Sequence, residues 1–172
     1  MPSVTLAEVT DDTRHVLHNL FTVYFSELSQ WDDLLALNEH GLPVWTAFGL
    51  PQPRTHDECV PYNWWIRDQC RQYLILADDR PAGFVIINAG PDHLPDEIDY
   101  DLLDFFVAHK YRRQGIGRLA ARAAFDLFHG AWEVVQLEGN APAIAFWNGV
   151  VADYTGGQYA SLDGGTRQRF GN

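Results

Sequence analysis

The segment from Asp104 to Arg118, DFFVAHKYRRQGIGR, carries an apolar strand through a basic, glycine-bearing turn into a helix. Few architectures place those three pieces in that order. Apolar residues at Ile116, Leu119, Ala120, Ala123, Ala124 and Leu127 recur at helical spacing and predict a helix from Gln114 to Phe128. The first turn of such a helix leaves backbone N–H groups without intrahelical partners, and a phosphate can satisfy them. Gly115 and Gly117 let the backbone approach a ligand without an intervening Cβ. Arg112, Arg113 and Arg118 add positive charge where the helix dipole already favours an anion.

Three kinds of phosphate-binding turn separate on small details. A P-loop needs Gly-Lys-Ser/Thr at the helix start, and here Arg118 and Leu119 follow Gly117, so that build is excluded. The dinucleotide fingerprint G-x-G-x-x-A fits Gly115 to Ala120, with Glu138 in the place of the ribose-binding acid about 20 residues on. In that fold, however, the glycines follow the strand almost at once. Here Ala108 to Gln114 intervene.

The third kind fits every position. Val107-x-x-x-Tyr111-Arg112-x-x-Gly115-Ile116-Gly117 resembles the acyl-CoA signature of the GNAT superfamily of N-acetyltransferases. The resemblance extends upstream to a hairpin, Tyr73 to Ile87, and downstream to Asn140, Ala143, Phe146 and Trp147, covering about two thirds of the chain. Trp147 stands where that family commonly has tyrosine, and His109 where it has proline. The implied fold is α/β: a mixed, mostly antiparallel sheet with a central, splayed parallel strand pair, flanked by helices. The implied cofactor is acetyl-CoA. Its pyrophosphate would lie on Arg112, Arg113, Gln114, Gly115, Ile116, Gly117 and Arg118. Its pantetheine arm would pair with Phe106 and Val107 and contact Asn140 near Ala143, Phe146 and Trp147. Asn140 also suits the N-cap of the next helix, with Pro142 in its first turn.

Acetyl transfer needs a neutral amine, and an alkylamine of pKa ~10.4 is neutral in only about one molecule in 2,500 at pH 7. A base therefore matters more than an acid, because a leaving thiolate of pKa ~8.5 needs far less help. The carboxylates near the expected splay are Asp101, Asp104 and Glu138. Asp101 and Asp104 are an odd number apart, which puts them on opposite faces of a regular strand unless a bulge intervenes. Leu102 to Val107 also resembles the same strand of spermidine/spermine N-acetyltransferases, L-E-D-F-F-V, where the glutamate is implicated as base. Leu103 stands at that glutamate here and Asp104 is retained. Asp104 and Glu138 are thus the candidate bases, and Asp101 a candidate amine-binding carboxylate. Tyr154, with Tyr100 and Tyr159, is a candidate proton donor to the thiolate.

The remaining chain is read as one domain over 1–172. An opening strand, Val4 to Val9, leads to a helix with apolar spacing at Val16, Leu17, Leu20, Phe21, Tyr24 and Leu28. A proline- and tryptophan-rich stretch over about 30–71 follows, with a short helix expected in Asn63 to Arg71. Its aromatic and acidic side chains, Trp31, Asp32, Trp64 and Trp65 among them, would suit a cationic amine. Strands at Ile98 to Val107 and Trp132 to Leu137 flank the glycine-turn helix as a β-α-β unit. A helix over Ala141 to Val150 and a hairpin of Tyr154 to Ser161 and Thr166 to Phe170 close the chain.

Composition narrows the partners. A formal charge of −11 argues against a nucleic-acid partner and is permissive for cationic small molecules. No apolar run approaches the ~18 residues of a membrane span, and a cytoplasmic location without membrane association is expected. Cys59 and Cys70 match no zinc or disulfide pattern, and no metal is expected. A homodimer is left open. The expected activity is N-acetylation of a primary amine by direct attack in a ternary complex, with aminoglycosides and polyamines as the first acceptor classes. A protein or peptide N-acetyltransferase, a non-catalytic acyl-CoA sensor and a dinucleotide-binding oxidoreductase are the alternatives.

Overall fold

The long apolar runs become central strands, and the amphipathic segments become helices laid on them. A computed structural model of the chain describes residues 2–46, 52–55, 58, 69–90 and 94–172. The elements are β1 (Val4–Glu8), α1 (Arg14–Leu28), β2 (Leu35–Leu37), β3 (Pro43–Trp45), β4 (Cys70–Ala77), β5 (Arg80–Asn88), β6 (Tyr100–Val107), α2 (Ile116–Phe125), β7 (Ala131–Val135), α3 (Ala141–Thr155), β8 (Ala160–Leu162) and β9 (Arg167–Gly171). Seven strands form one sheet in the order β1-β4-β5-β6-β7-β9-β8, and β2 with β3 make a separate hairpin. Every pairing in the large sheet is antiparallel except β6 with β7.

β5 is buried at seven consecutive positions, Ala82 to Asn88, because both faces of the sheet are covered there. On one face α2 and α3 pack over a core that includes Val85, Ile87, Leu102, Phe125, Trp132 and Trp147. On the other, α1 presents Leu17 and Phe21 to Leu74, Phe84, Ile86 and Phe106. The Phe21 ring stacks on Phe84 at 4.4 Å between centroids, which seats the helix against the middle of the sheet.

Several boundaries differ from those expected. α2 starts at Ile116 and not Gln114, because Arg113 and Gly115 sit at φ +61° and +81°, left-handed values that no right-handed helix includes. α3 runs on to Thr155, so Tyr154 lies in its last turn and not in a strand. Gly156, at φ +63°, supplies the left-handed C-cap that stops it. The β2–β3 hairpin falls inside the stretch read as irregular. The short helix expected in Asn63 to Arg71 falls mostly outside the described residues, and β4 already begins at Cys70.

Candidate active site

The parallel pairing of β6 with β7 covers only Tyr100 to Leu102 against Trp132 to Val134. Among the described residues β6 runs on to Val107 paired to β5 alone, so its edge from Leu103 onward faces a gap. The two strands splay because α2, entered from the end of β6, and α3, entered from the end of β7, wedge between them on one face. Phe105 stacks on Phe146 at 6.0 Å and meets Trp147 edge-on at 5.0 Å. Gly117 lets the same wedge close tightly. A Cβ there would come within 3.3 Å of the Phe146 ring and 3.7 Å of Val107 Cγ2.

At the point where pairing stops, the strand carries a bulge. Against β5, Asp104 is opposite Ile86 while Leu102 is opposite Ile87, which leaves Leu103 as the extra residue. Asp101 is opposite Asn88, and Ile86 and Asn88 share a face, so Asp101 and Asp104 come to the same face, the one covered by α1. There Tyr24 of α1 donates a 2.7 Å hydrogen bond to Asp104 Oδ1. Burial pushes the Asp104 carboxyl from 3.8 up to about 7; the Tyr24 hydrogen bond pulls it down and the charge of Asp101 adds to the rise. Asp101 is also raised to about 7, by burial first and then by Glu133, with Arg167 opposing. Burial, with Asp104 beside it, holds the Tyr24 phenol well above its ordinary value.

Beyond Asp101 the row continues across the sheet. Glu133 on β7 is buried and accepts from Arg167 Nη1 at 2.8 Å and Arg169 Nε at 2.6 Å. Arg167 also reaches Asp163 at 2.7 Å. The arginines are thus committed to Glu133 and Asp163, and the hydrogen bond into the Asp101–Asp104 pair comes from Tyr24.

The segment after α1 reaches the β7 side of the gap. Trp31 lies against the β7–α3 connection: a Cβ on Gly139 would sit 3.8 Å from its ring. Glu138, beside it, is exposed. Asp32 is partly buried and accepts from Leu34 N at 2.9 Å, a local turn contact. Trp64, Trp65 and Cys59 lie outside the described residues.

The glycine turn sits at the open end of the gap. α2 has no side-chain N-cap, and Gly115, exposed at φ +81°, has among the described residues no atom within 4 Å of the place a Cβ would take. Its first-turn N–H groups are therefore available to an anion. Arg113 is exposed and makes no ion pair among the described residues. Arg112 is committed elsewhere, donating from Nε to Val107 O at 2.6 Å and pairing with Glu27 of α1. Arg118 pairs with Asp153 of α3, and Gln114 donates to Lys110 O at 2.7 Å. Asn140 caps α3 by accepting from Ala143 N at 3.1 Å.

Trp147 is only 5% exposed and packs against Phe105, Phe125 and Phe146 on the α2–α3 face of the sheet, opposite the face that carries the carboxylates. Tyr154 is not brought to the carboxylates either. Its hydroxyl donates to Asp126 at 2.8 Å, at the C-terminal end of α2, and accepts from Asn172 at 3.0 Å. Tyr24 sits in the apolar stripe of α1, where its spacing marks it as a core residue. The available signal was a phenol on a core-facing stripe, which needs a buried partner for its hydroxyl.

A splayed parallel strand pair, a bulged strand with paired carboxylates and an uncapped glycine-turn helix together define an acyl-CoA-dependent acyltransferase. Residues 31–149 match the model of the Acetyltransferase (GNAT) family, and the chain belongs to that family. It is an acetyltransferase, and acetyl-CoA is the cosubstrate of the family. An acetyltransferase from Thermus thermophilus has a similar fold, at 19% identity, TM-score 0.60, over 97% of this chain and 94% of that one. The aminoglycoside acetyltransferase AAC(6')-Ib in complex with coenzyme A is similar at 13% identity and TM-score 0.62, over 99% and 95% of the two chains. A chimera of the spermidine N-acetyltransferase SpeG from Vibrio cholerae and hSSAT is similar at 14% identity and TM-score 0.57, over 98% and 95%. A search among curated proteins finds no match.

The residues present fit acetyl-CoA. The uncapped first turn of α2 with exposed Gly115 and Arg113 suits its phosphates, and the free edge of β6 offers backbone groups to the amides of its arm.

Proposed function

We propose that the protein acetylates a primary amine of a small cationic acceptor by direct attack in a ternary complex, with Asp104 as general base. One observation carries this reading: Asp104 and Asp101 share a face at the bulge, beside the free strand edge, and both are raised to about 7. An ordinary carboxylate of pKa ~3.9 facing an ammonium of ~10.4 is mismatched by about 9 kcal/mol for proton transfer. At about 7 the mismatch falls to roughly 4.6 kcal/mol, and a general base is most effective with its pKa near the working pH.

Acetyl-CoA supplies the thioester. Asp104 takes the proton that the acceptor ammonium releases, and Asp101 holds positive charge on the acceptor. The new bond is amide C–N and the bond lost is C–S; the nitrogen sheds a second proton as the amide forms, that proton goes to the departing sulfur, and coenzyme A leaves as its thiol. Arg113 and the α2 N-terminus hold the pyrophosphate, while Phe106 and Val107 present backbone to the pantetheine arm. Trp31 lies on the acceptor side and would face an alkylammonium or amino-sugar surface. Aminoglycosides and polyamines are the acceptor classes that a cleft lined by two carboxylates favours.

The test is release of coenzyme A thiol from acetyl-CoA with a panel containing an aminoglycoside, spermidine and a peptide with a free N-terminus. Turnover with either polycation and not with the peptide supports the reading. Preference for the peptide would replace the acceptor class, and acetyl-CoA binding without thiol release from any amine would make the chain a sensor.

A further inference from the structure

Two side chains of α1, three residues apart, reach the two ends of the same free strand edge. Tyr24 donates to Asp104 at the bulge, and Glu27 pairs with Arg112 just beyond the end of β6. Arg112 in turn donates to Val107 O at 2.6 Å and lies 5.6 Å from the Phe106 ring centroid. Residues three apart on a helix lie on one side, so one turn of α1 addresses β6 from Asp104 to Val107. Three strand residues cover about 10 Å and three helix residues about 4.5 Å. The difference is spanned by the long side chains of Glu27 and Arg112.

This stretch of strand lacks the support a sheet normally gives. Pairing to β7 ends at Leu102, and the chain leaves β6 into a turn with a left-handed residue at Arg113. The helix providing the two contacts is firmly seated: Tyr24 packs against Phe84 at 5.4 Å and Phe106 at 5.7 Å. Glu27 and Arg112 are about one third exposed, at 32% and 39%, so their pairing is partly shielded from water.

We propose that Tyr24 and Glu27 are positioning residues for acetyl transfer: Tyr24 orients the Asp104 carboxylate, and Glu27, through Arg112, holds the glycine turn that opens α2. The Tyr24 half rests on the reading of Asp104 as base. The Glu27 half rests only on acetyl-CoA binding at that turn.

Two variants separate the halves. Glu27→Gln keeps the side-chain shape and removes its charge. The dissociation constant and KM for acetyl-CoA rise about tenfold, while kcat at saturating acetyl-CoA stays within about twofold. Arg14→Ala, which breaks the exposed Arg14–Asp11 pair at the other end of α1, leaves both constants unchanged. Arg112→Gln breaks the Glu27 contact from its other side, and the double variant binds acetyl-CoA no more weakly than the weaker single one. Tyr24→Phe leaves acetyl-CoA affinity unchanged and moves the acid limb of kcat/KM to higher pH, since a donor that stabilises the Asp104 carboxylate is gone. The charged or titratable neighbours in play are Tyr24 from α1 and Asp101 from β6. Glu133 of β7 and Arg167 of β9 act on Asp104 through Asp101.

Unchanged acetyl-CoA affinity in both Glu27→Gln and Arg112→Gln overturns the Glu27 half. An unmoved acid limb in Tyr24→Phe, where Asp104→Asn does abolish turnover, overturns the Tyr24 half. If Asp104→Asn keeps full turnover, the base assignment fails and the Tyr24 half falls with it. The Glu27 half is then still decided by binding alone.

Discussion

Asp101 and Asp104 occupy the same face of β6 although they stand an odd number of positions apart, because Leu103 is the extra residue of a bulge against β5. Two carboxylates that a regular strand would hold apart thereby share one partly buried surface under α1. Burial, helped by the charge of Asp101 on Asp104 and of Glu133 on Asp101, raises both to about 7, where a carboxylate can exchange protons at neutral pH.

Asp104→Asn is expected to lower turnover by about a hundredfold or more while leaving acetyl-CoA affinity unchanged, since the side chain lies away from the glycine turn. Thiol-release kinetics and calorimetric titration of acetyl-CoA check the two halves. In the wild type, kcat/KM should rise with pH through about 7, the value of the Asp104 carboxyl, as the base loses its proton. The variant should lack that limb.

The same carboxylates cost stability at neutral pH. A carboxyl raised from 3.8 to about 7 binds more protons folded than unfolded, so its contribution is fully present below about pH 4 and is lost as pH rises through about 7. Asp101→Asn should therefore be more stable than wild type at pH 8, by on the order of 1–4 kcal/mol, with the difference vanishing near pH 4. Denaturant unfolding at the two pH values measures it. A variant less stable than wild type at pH 8 would show that Asp101 is held by favourable contacts.

Arg113→Ala should weaken acetyl-CoA binding by roughly tenfold with little change in kcat at saturation, because an exposed cation beside the helix N-terminus contributes through phosphate contact. Arg118→Ala should change affinity less, its guanidinium being shared with Asp153. A larger loss in Arg118→Ala than in Arg113→Ala would place the pyrophosphate nearer Arg118. A thermal shift with acetyl-CoA gives a rapid comparison, since ligand at about 100 times its dissociation constant adds ~2.7 kcal/mol.

Gly83→Ala should destabilise the fold by about 3 kcal/mol or more. A Cβ at that position would stand 1.9 Å from the Phe106 carbonyl oxygen, a backbone atom that cannot swing aside. Relief requires β5 and β6 to part at the strand that carries the free edge. The midpoint of chemical denaturation reads the effect directly.

Tyr154→Phe should leave turnover unchanged and cost about 1 kcal/mol of stability, because its hydroxyl joins Asp126 and Asn172 at the far end of α2. A loss of turnover with unchanged stability would place Tyr154 in the chemistry.

The amino-acid sequence alone determined the parts whose causes are local. Val107 to Gly117 specified a strand, a glycine turn and a helix because left-handed backbone at Gly115 and apolar spacing in the helix are properties of neighbouring residues. Asn140 was legible as an N-cap for the same reason, and it caps α3 through Ala143. The family signature lies within those segments. The tertiary structure decided which chemical groups meet. No local rule places a bulge at Leu103, since register arises from the pairing of β5 with β6 and from where β7 stops. Tyr24 meets Asp104 across 80 positions only because α1 packs on that face of the sheet. Trp147 and Tyr154 pack on the α2–α3 face of the sheet and the carboxylates on the α1 face, a division set by how α3 packs. A carboxylate's pKa depends on burial and neighbouring charge, both of which exist only after the chain has folded.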